Sequence, residues 1–155
     1  MSPSELADEI ATLAAHLDAA EHRLLECIRL FDESGEWCDQ GALSCAHWLS
    51  WRVGLDPGTA REKVRVARAL GKLPAMDEAL RSARLSYAKV RALTRVATVE
   101  NEGRLLELAL VADGGIEGDV SKSASDWILL AENRQLLDRP LIRQATVPLP
   151  QRARA

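Results

Sequence analysis

The chain's 155 residues hold three sets of side chains whose types and spacing suit chemistry, and each can be tested on spacing alone. Cys38, Cys45 and His47 stand as C-x6-C-x-H, the only grouping of soft metal ligands. Structural zinc sites use four ligands, typically with two pairs closely spaced. Here there are three and no tight pair, and His16 and His22 fall on a different predicted helix, so buried or half-exposed free cysteines are expected and no metal. Thiol catalysis needs a base within reach of the nucleophile. Cys45 and His47 lie two residues apart on a predicted helix and so point in different directions. Gly114-Gly-Ile-Glu-Gly118 has no Lys-Ser or Lys-Thr after it and no strand before it, which removes the phosphate-loop reading. The many carboxylates read as a solvated helix face. The chain is expected to be no enzyme and to carry no cofactor.

The second set is cationic. The formal net charge of −3 conceals a strong asymmetry. Residues 1–51 hold ten acids against Arg23 and Arg29, residues 52–95 hold eleven basic groups against four acids, and the remainder is nearly balanced. Within the basic block, Arg61, Arg65, Arg68 and Lys72 recur at helical spacing and form one stripe. Guanidiniums so arranged can follow a phosphate backbone, each adding a salt-dependent contact. The candidate nucleic-acid contacts are therefore Arg61, Arg65 and Arg68, with Lys63, Lys72, Arg91 and Arg95 as outer phosphate ligands. A solvated face, or pairing with the acidic first segment of the same fold, is the plain alternative.

The third set is apolar. Leu6, Ile10, Leu13, Leu17, Ala20, Leu24, Cys27 and Phe31 alternate spacings of four and three, a heptad seam. Ser2-Pro3-Ser4-Glu5 in front of it matches a capping box with Pro at the first helical position, and Ser34-Gly35 supplies a stop. One helix over residues 4–33 is predicted, about 45 Å long at about 1.5 Å per residue. Its stripe needs a partner along its length: either the later helices or a second copy, making a homodimer.

The elements that position the basic stripe follow from caps and breakers. Residues 35–43 read as a loop with Trp37 and Cys38. Ser44 caps a short helix through Val53 that stops at Gly54, with Trp48 and Trp51 three apart as buried anchors. Asp56 and Pro57 open the next helix, which runs to Leu70 and stops at Gly71, with Ala60, Val64, Ala67 and Leu70 toward the core. Short helix, turn Val53-Gly-Leu-Asp-Pro57 and second helix together resemble a helix-turn-helix. Further helices are predicted over 75–83, from Tyr87 to about Ala97 behind Ser86, and over 100–112. The fold class is all-α: a long N-terminal helix packed against shorter ones. After Asp113 a glycine-rich, polar and then proline-rich stretch follows, with one weak helix from Asp126 to Leu137. The division is a helical domain over 1–112 and a divergent, partly disordered tail over 113–155.

Composition agrees. Apolar residues make up 47 % but aromatics only 4 %, so the core must be built from Ala, Leu, Val and Ile. No run reaches the roughly 20 apolar residues of a membrane span. The N-terminus lacks a secretory pattern, and three irregularly spaced cysteines suit a reducing compartment, so a cytoplasmic location and no membrane partner are expected.

Four runs also resemble one family: Leu17-Asp-Ala-Ala-Glu-His-Arg-Leu-Leu25, Gly41-Ala-Leu-Ser-Cys-Ala-His-Trp-Leu-Ser-Trp-Arg-Val-Gly-Leu-Asp-Pro57, Ala60-Arg-Glu-Lys-Val-Arg-Val-Ala-Arg-Ala-Leu70 and Leu85-Ser-Tyr-Ala-Lys-Val-Arg-Ala-Leu-Thr-Arg95. The resemblance is to the domain of unknown function 222, or 13E12-repeat, family and covers about residues 5–108. It implies a helical domain commonly followed by an HNH endonuclease domain, which would bring a metal ion and cut DNA. Beyond His47 the chain has no histidine at all, so no HNH catalytic residue carries over. The expectation is a non-catalytic, nucleic-acid-associated module without the nuclease part. Alternatives are an interaction or oligomerisation module through the first helix, or a truncated remnant without function.

Overall fold

In the computed structural model, residues 1–113 are described. They form helices and turns with no strand among them: α1 (Pro3–Ser34), α2 (Glu36–Asp39), α3 (Cys45–Trp48), α4 (Pro57–Leu70), α5 (Pro74–Arg81), α6 (Tyr87–Leu93) and α7 (Glu102–Asp113). The predicted tail and its weak helix at Asp126 to Leu137 lie outside the described residues.

α1 begins as its sequence dictates. The Ser2 hydroxyl accepts from the Glu5 N–H while the Glu5 carboxylate accepts from the Ser2 N–H, closing the capping box around Pro3. It ends at Gly35, whose φ of +72° is the left-handed conformation that releases the chain from the helix. The predicted loop after it holds one extra helical turn, α2. Gly35 starts that turn, and the Trp37 indole N–H donates to the Asp32 carbonyl, folding the segment back on α1.

Ser44 caps α3 by accepting from the His47 N–H. The helix then widens into a π-helical turn over Leu49–Val53 and stops at left-handed Gly54. That widening corrects one expectation. Trp48 and Trp51 do not share a buried face: Trp48 packs on Phe31 at 4.6 Å between ring centroids, whereas Trp51 is 64 % exposed. A π turn takes up more residues per revolution than an α turn, so the three-residue spacing no longer returns to the same face. Leu49 takes the inner position instead.

Asp56 accepts from the Thr59 N–H and opens α4, the central helix, which packs on α1, α3, α5 and α6. Its predicted core residues Ala60, Val64, Ala67 and Leu70 are all buried, and Val66 joins them. Together with Leu25, Leu49, Met76, Leu80, Leu85, Val90, Leu93 and Leu105 they form one aliphatic core. At about 1.5–3 kcal/mol per fully buried large side chain, this cluster is the main stabiliser of the fold. α6 is shorter than its pattern suggested, ending at Leu93, because the Thr94 hydroxyl accepts from Arg65 and donates to the Arg91 carbonyl at the helix end.

Candidate functional site

Two surfaces answer to the sets of residues singled out in the sequence: the cationic face around α4 and the apolar seam of α1.

α4 carries Arg61, Arg65 and Arg68 on its flank because its inner stripe is largely small and aliphatic, and Lys72 follows in the turn just past its end. The structure divides the seven candidates into two groups. Four are engaged by carboxylates. Lys63 lies on the inner side of the helix, almost fully buried, with its ammonium paired to Glu21 of α1 and 4.3 Å from the centroid of the Tyr87 ring. Arg68 gives a two-pronged contact to Asp32, Nε at 2.6 Å and Nη2 at 2.9 Å. Arg65 donates through Nε and Nη2 to Glu62 at 2.9 and 3.2 Å, and through Nη2 to the Arg91 carbonyl at 2.9 Å, so it ties α4 to α6. Arg95 reaches the same Glu62 at 2.8 Å. The Glu62 carboxyl is held below the usual carboxylate range, chiefly by its hydrogen bond from Arg65, with Arg95 adding to it. The Asp32 hydrogen bond raises the Arg68 guanidinium further above its already high value.

The other three, Arg61, Lys72 and Arg91, are exposed and have no carboxylate partner among the described residues. Arg61 lines an open groove of about 400 Å³ with Ser44, Val64, Arg65 and Arg68. Arg91 and Lys72 border separate shallow grooves, the first beside Thr59 and Glu62, the second beside Leu73 and Val99. The helix-turn-helix-like pair is present as α3 with its π turn, Gly54, and α4. Its second helix, though, packs on α1, α3, α5 and α6, and mainly its flank meets solvent.

Pairing with the acidic first segment, the plain alternative in the sequence, is realised at Lys63–Glu21 and Arg68–Asp32 by the carboxylates of α1. They do not form a solvated face throughout. Asp18 accepts from the Tyr87 N–H at 3.0 Å, and the Asp32 side chain is only 9 % exposed beneath Arg68. Asp18, Glu21, His22, Leu25, Ile28 and Asp32 recur at helical spacing, which makes them one mixed stripe. That stripe, and not the heptad seam, faces the bundle. His22 is buried in it and bonds to Asp77 of α5 at 2.9 Å.

The heptad seam therefore stands off to one side. Only His22, Leu25 and Ile28 of α1 are buried, all in its second half. Leu6, Ile10, Leu13 and Leu17 are 47, 66, 50 and 71 % exposed, and Ala20, Leu24 and Cys27 continue the exposed line. Phe31 alone turns into the core, against Trp48.

The thiol and imidazole set is dispersed. Cys38 is exposed, Cys45 is buried, and His47 Nδ1 accepts from the Leu43 N–H at 3.0 Å. Burial first, and the Asp32 charge second, push the Cys45 thiol up to about 11. That direction disfavours the thiolate that nucleophilic chemistry requires. Among the described residues no group of three His, Cys, Asp or Glu is placed to hold a metal ion, and no helix is long and apolar enough to cross a membrane.

Comparison with known proteins returns one match: residues 4–113 fit the family described as Domain of unknown function (DUF222). No curated protein matches the chain, and no solved structure does.

Proposed function

We propose that this chain, which belongs to the DUF222 family, is a non-catalytic helical module that works by association, its α1 seam being the surface through which two copies join. The single observation that carries the reading is the row of four large aliphatic side chains in heptad register, each about half exposed or more, on the half of α1 that projects beyond the core. Singly exposed leucines are ordinary on a protein surface, but an ordered apolar row along one helix marks an interaction site. The heptad period names the kind of partner, another helix packed knobs-into-holes.

Sedimentation velocity on the full chain across the micromolar range tests it. The expected result is a mass rising from one copy to two, held at one copy by Leu13→Glu/Leu17→Glu. Because both positions are exposed in the single copy, that variant keeps its helical fold and loses only the part of its thermal stability that rises with protein concentration. A single-copy mass at every concentration overturns the reading.

A second reading, association with nucleic acid, has its own support in Arg61, Lys72 and Arg91, exposed cations around α4 and α6 with no carboxylate partner among the described residues. Four of the seven candidate cations already serve carboxylates of the fold, so the surface left for phosphates is smaller than the sequence suggested. Anisotropy of labelled duplex DNA at about 50 and 200 mM salt tests this. Affinity should fall steeply with salt, with a log–log slope of about 0.9 per phosphate neutralised. Arg61→Ala/Lys72→Ala/Arg91→Ala should remove about three contacts from that slope. No binding at the lower salt refutes it.

A further inference from the structure

We infer that the two copies pair antiparallel along α1, with Leu13 of each facing Leu17 of the other; this rests on the self-association proposed above and adds its direction and register.

The seam positions fall into two alternating sets, Leu6, Leu13 and Ala20 in one and Ile10, Leu17 and Leu24 in the other. In a parallel pair each residue meets its own copy, whereas in an antiparallel pair one set meets the other. Centring the two-fold axis between Leu13 and Leu17 places Leu6 against Leu24, Ile10 against Ala20 and Leu13 against Leu17. Every exposed seam residue from 6 to 24 is then used, over about 27 Å of helix at about 1.5 Å per residue. The volumes also match, since the one small residue, Ala20, receives the branched Ile10. In parallel, Ala20 would face Ala20 and leave a void in the middle of the seam.

Charge selects the same direction. The first turns of α1 carry Glu5, Asp8 and Glu9 with no cation, and its first basic residue is Arg23. Parallel pairing sets the acidic turns side by side. Antiparallel pairing on this axis brings Glu9, which flanks Ile10, beside Arg23 of the second copy, which flanks Leu24, and does so twice. Arg23 is available: its side chain is 71 % exposed and is engaged only by Glu26, three residues on, an exposed pair of little energetic weight. The opposed helix dipoles add to the preference.

Disulfide trapping on the full chain reads direction and register. Cys27 lies on the same seam and is exposed. On the inferred axis the two Cys27 thiols stand about 36 Å apart, far outside the roughly 4.4–6.8 Å Cα separation a disulfide spans. A parallel dimer would bring them face to face. In a Cys27→Ser/Cys38→Ser background, mixing Leu6→Cys protein with Leu24→Cys protein should give the mixed disulfide dimer under mild oxidation. Neither protein alone should cross-link. Glu9→Arg should weaken dimerisation at least several-fold, and Glu9→Arg/Arg23→Glu should restore it. Rapid Cys27–Cys27 or Leu6→Cys self-cross-linking in a protein that sediments as a dimer overturns the direction and leaves self-association standing. A dimer that gives no mixed disulfide, or survives Leu13→Glu/Leu17→Glu, overturns the inference. A single-copy mass overturns both proposals.

Discussion

Whether Lys63 belongs to the fold or to a phosphate-binding surface can be decided by a double-mutant cycle on Lys63 and Glu21. The Lys63 side chain is 11 % exposed and that of Glu21 21 %, so the pair is largely, though not wholly, removed from water. Glu21→Gln strands the ammonium with only the face of Tyr87 for compensation. A stranded buried charge costs about 3–5 kcal/mol, and the aromatic face returns about 1–2, so a loss of about 2–3 kcal/mol is expected. Lys63→Met keeps the apolar stem that packs on α1, and the more exposed Glu21 can turn toward water, so about 1 kcal/mol is expected. The double variant buries no charge and should fall within about 1 kcal/mol of the parent. The coupling energy is then about 2 kcal/mol. In urea titrations followed by circular dichroism, Glu21→Gln should lower the midpoint most and the double variant should recover most of that loss. The melting temperature of Glu21→Gln should drop by about 6–12 °C, at about 3–4 °C per kcal/mol for a chain of this length. A coupling below about 0.5 kcal/mol would refute the reasoning and return Lys63 to the list of free surface cations.

Three further outcomes follow from buried and exposed side chains. A thiol reagent at neutral pH should label Cys27 and Cys38 in the native protein and reach Cys45 only on unfolding; equal labelling of all three would contradict the core placement. Because folding raises the Cys45 pKa from 9.0 to about 11, the folded state favours the protonated thiol. Its contribution to stability is therefore complete below about pH 9 and lost as pH rises through 11, a decline in urea midpoint that Cys45→Ala should lessen. Trp48→Ala should cost about 2–3 kcal/mol through its lost packing on Phe31, whereas Trp51→Ala should stay within about 0.5 kcal/mol. Equal losses in chemical denaturation would refute the register that the π turn imposes.

What the sequence determined by itself was local. The capping box at Ser2 and Glu5, the hydroxyl cap at Ser44, the Asp56–Pro57 start and the stops at Gly35 and Gly54 are backbone hydrogen-bonding and φ requirements that nearby residues satisfy. Helix starts and ends were legible from them, as was the core face of α4. Family membership was legible too, from four dense runs spread over 5–108. Only the tertiary structure decided which face of each helix met which neighbour. α1 carries two stripes, an apolar heptad and a mixed one with Glu21, His22, Leu25, Ile28 and Asp32, and periodicity favours the purely apolar stripe. The fold buried the mixed one, because its carboxylates answer Lys63 and Arg68 while Leu25 and Ile28 fill the core. In the same way, nothing in the spacing of Arg61, Arg65 and Arg68 shows which guanidinium finds a carboxylate. Asp32 lies 36 residues from Arg68, and Glu21 lies 42 from Lys63. Such pairs depend on how helices cross, and so the exposed seam and the smaller set of free cations emerged only from the packed structure.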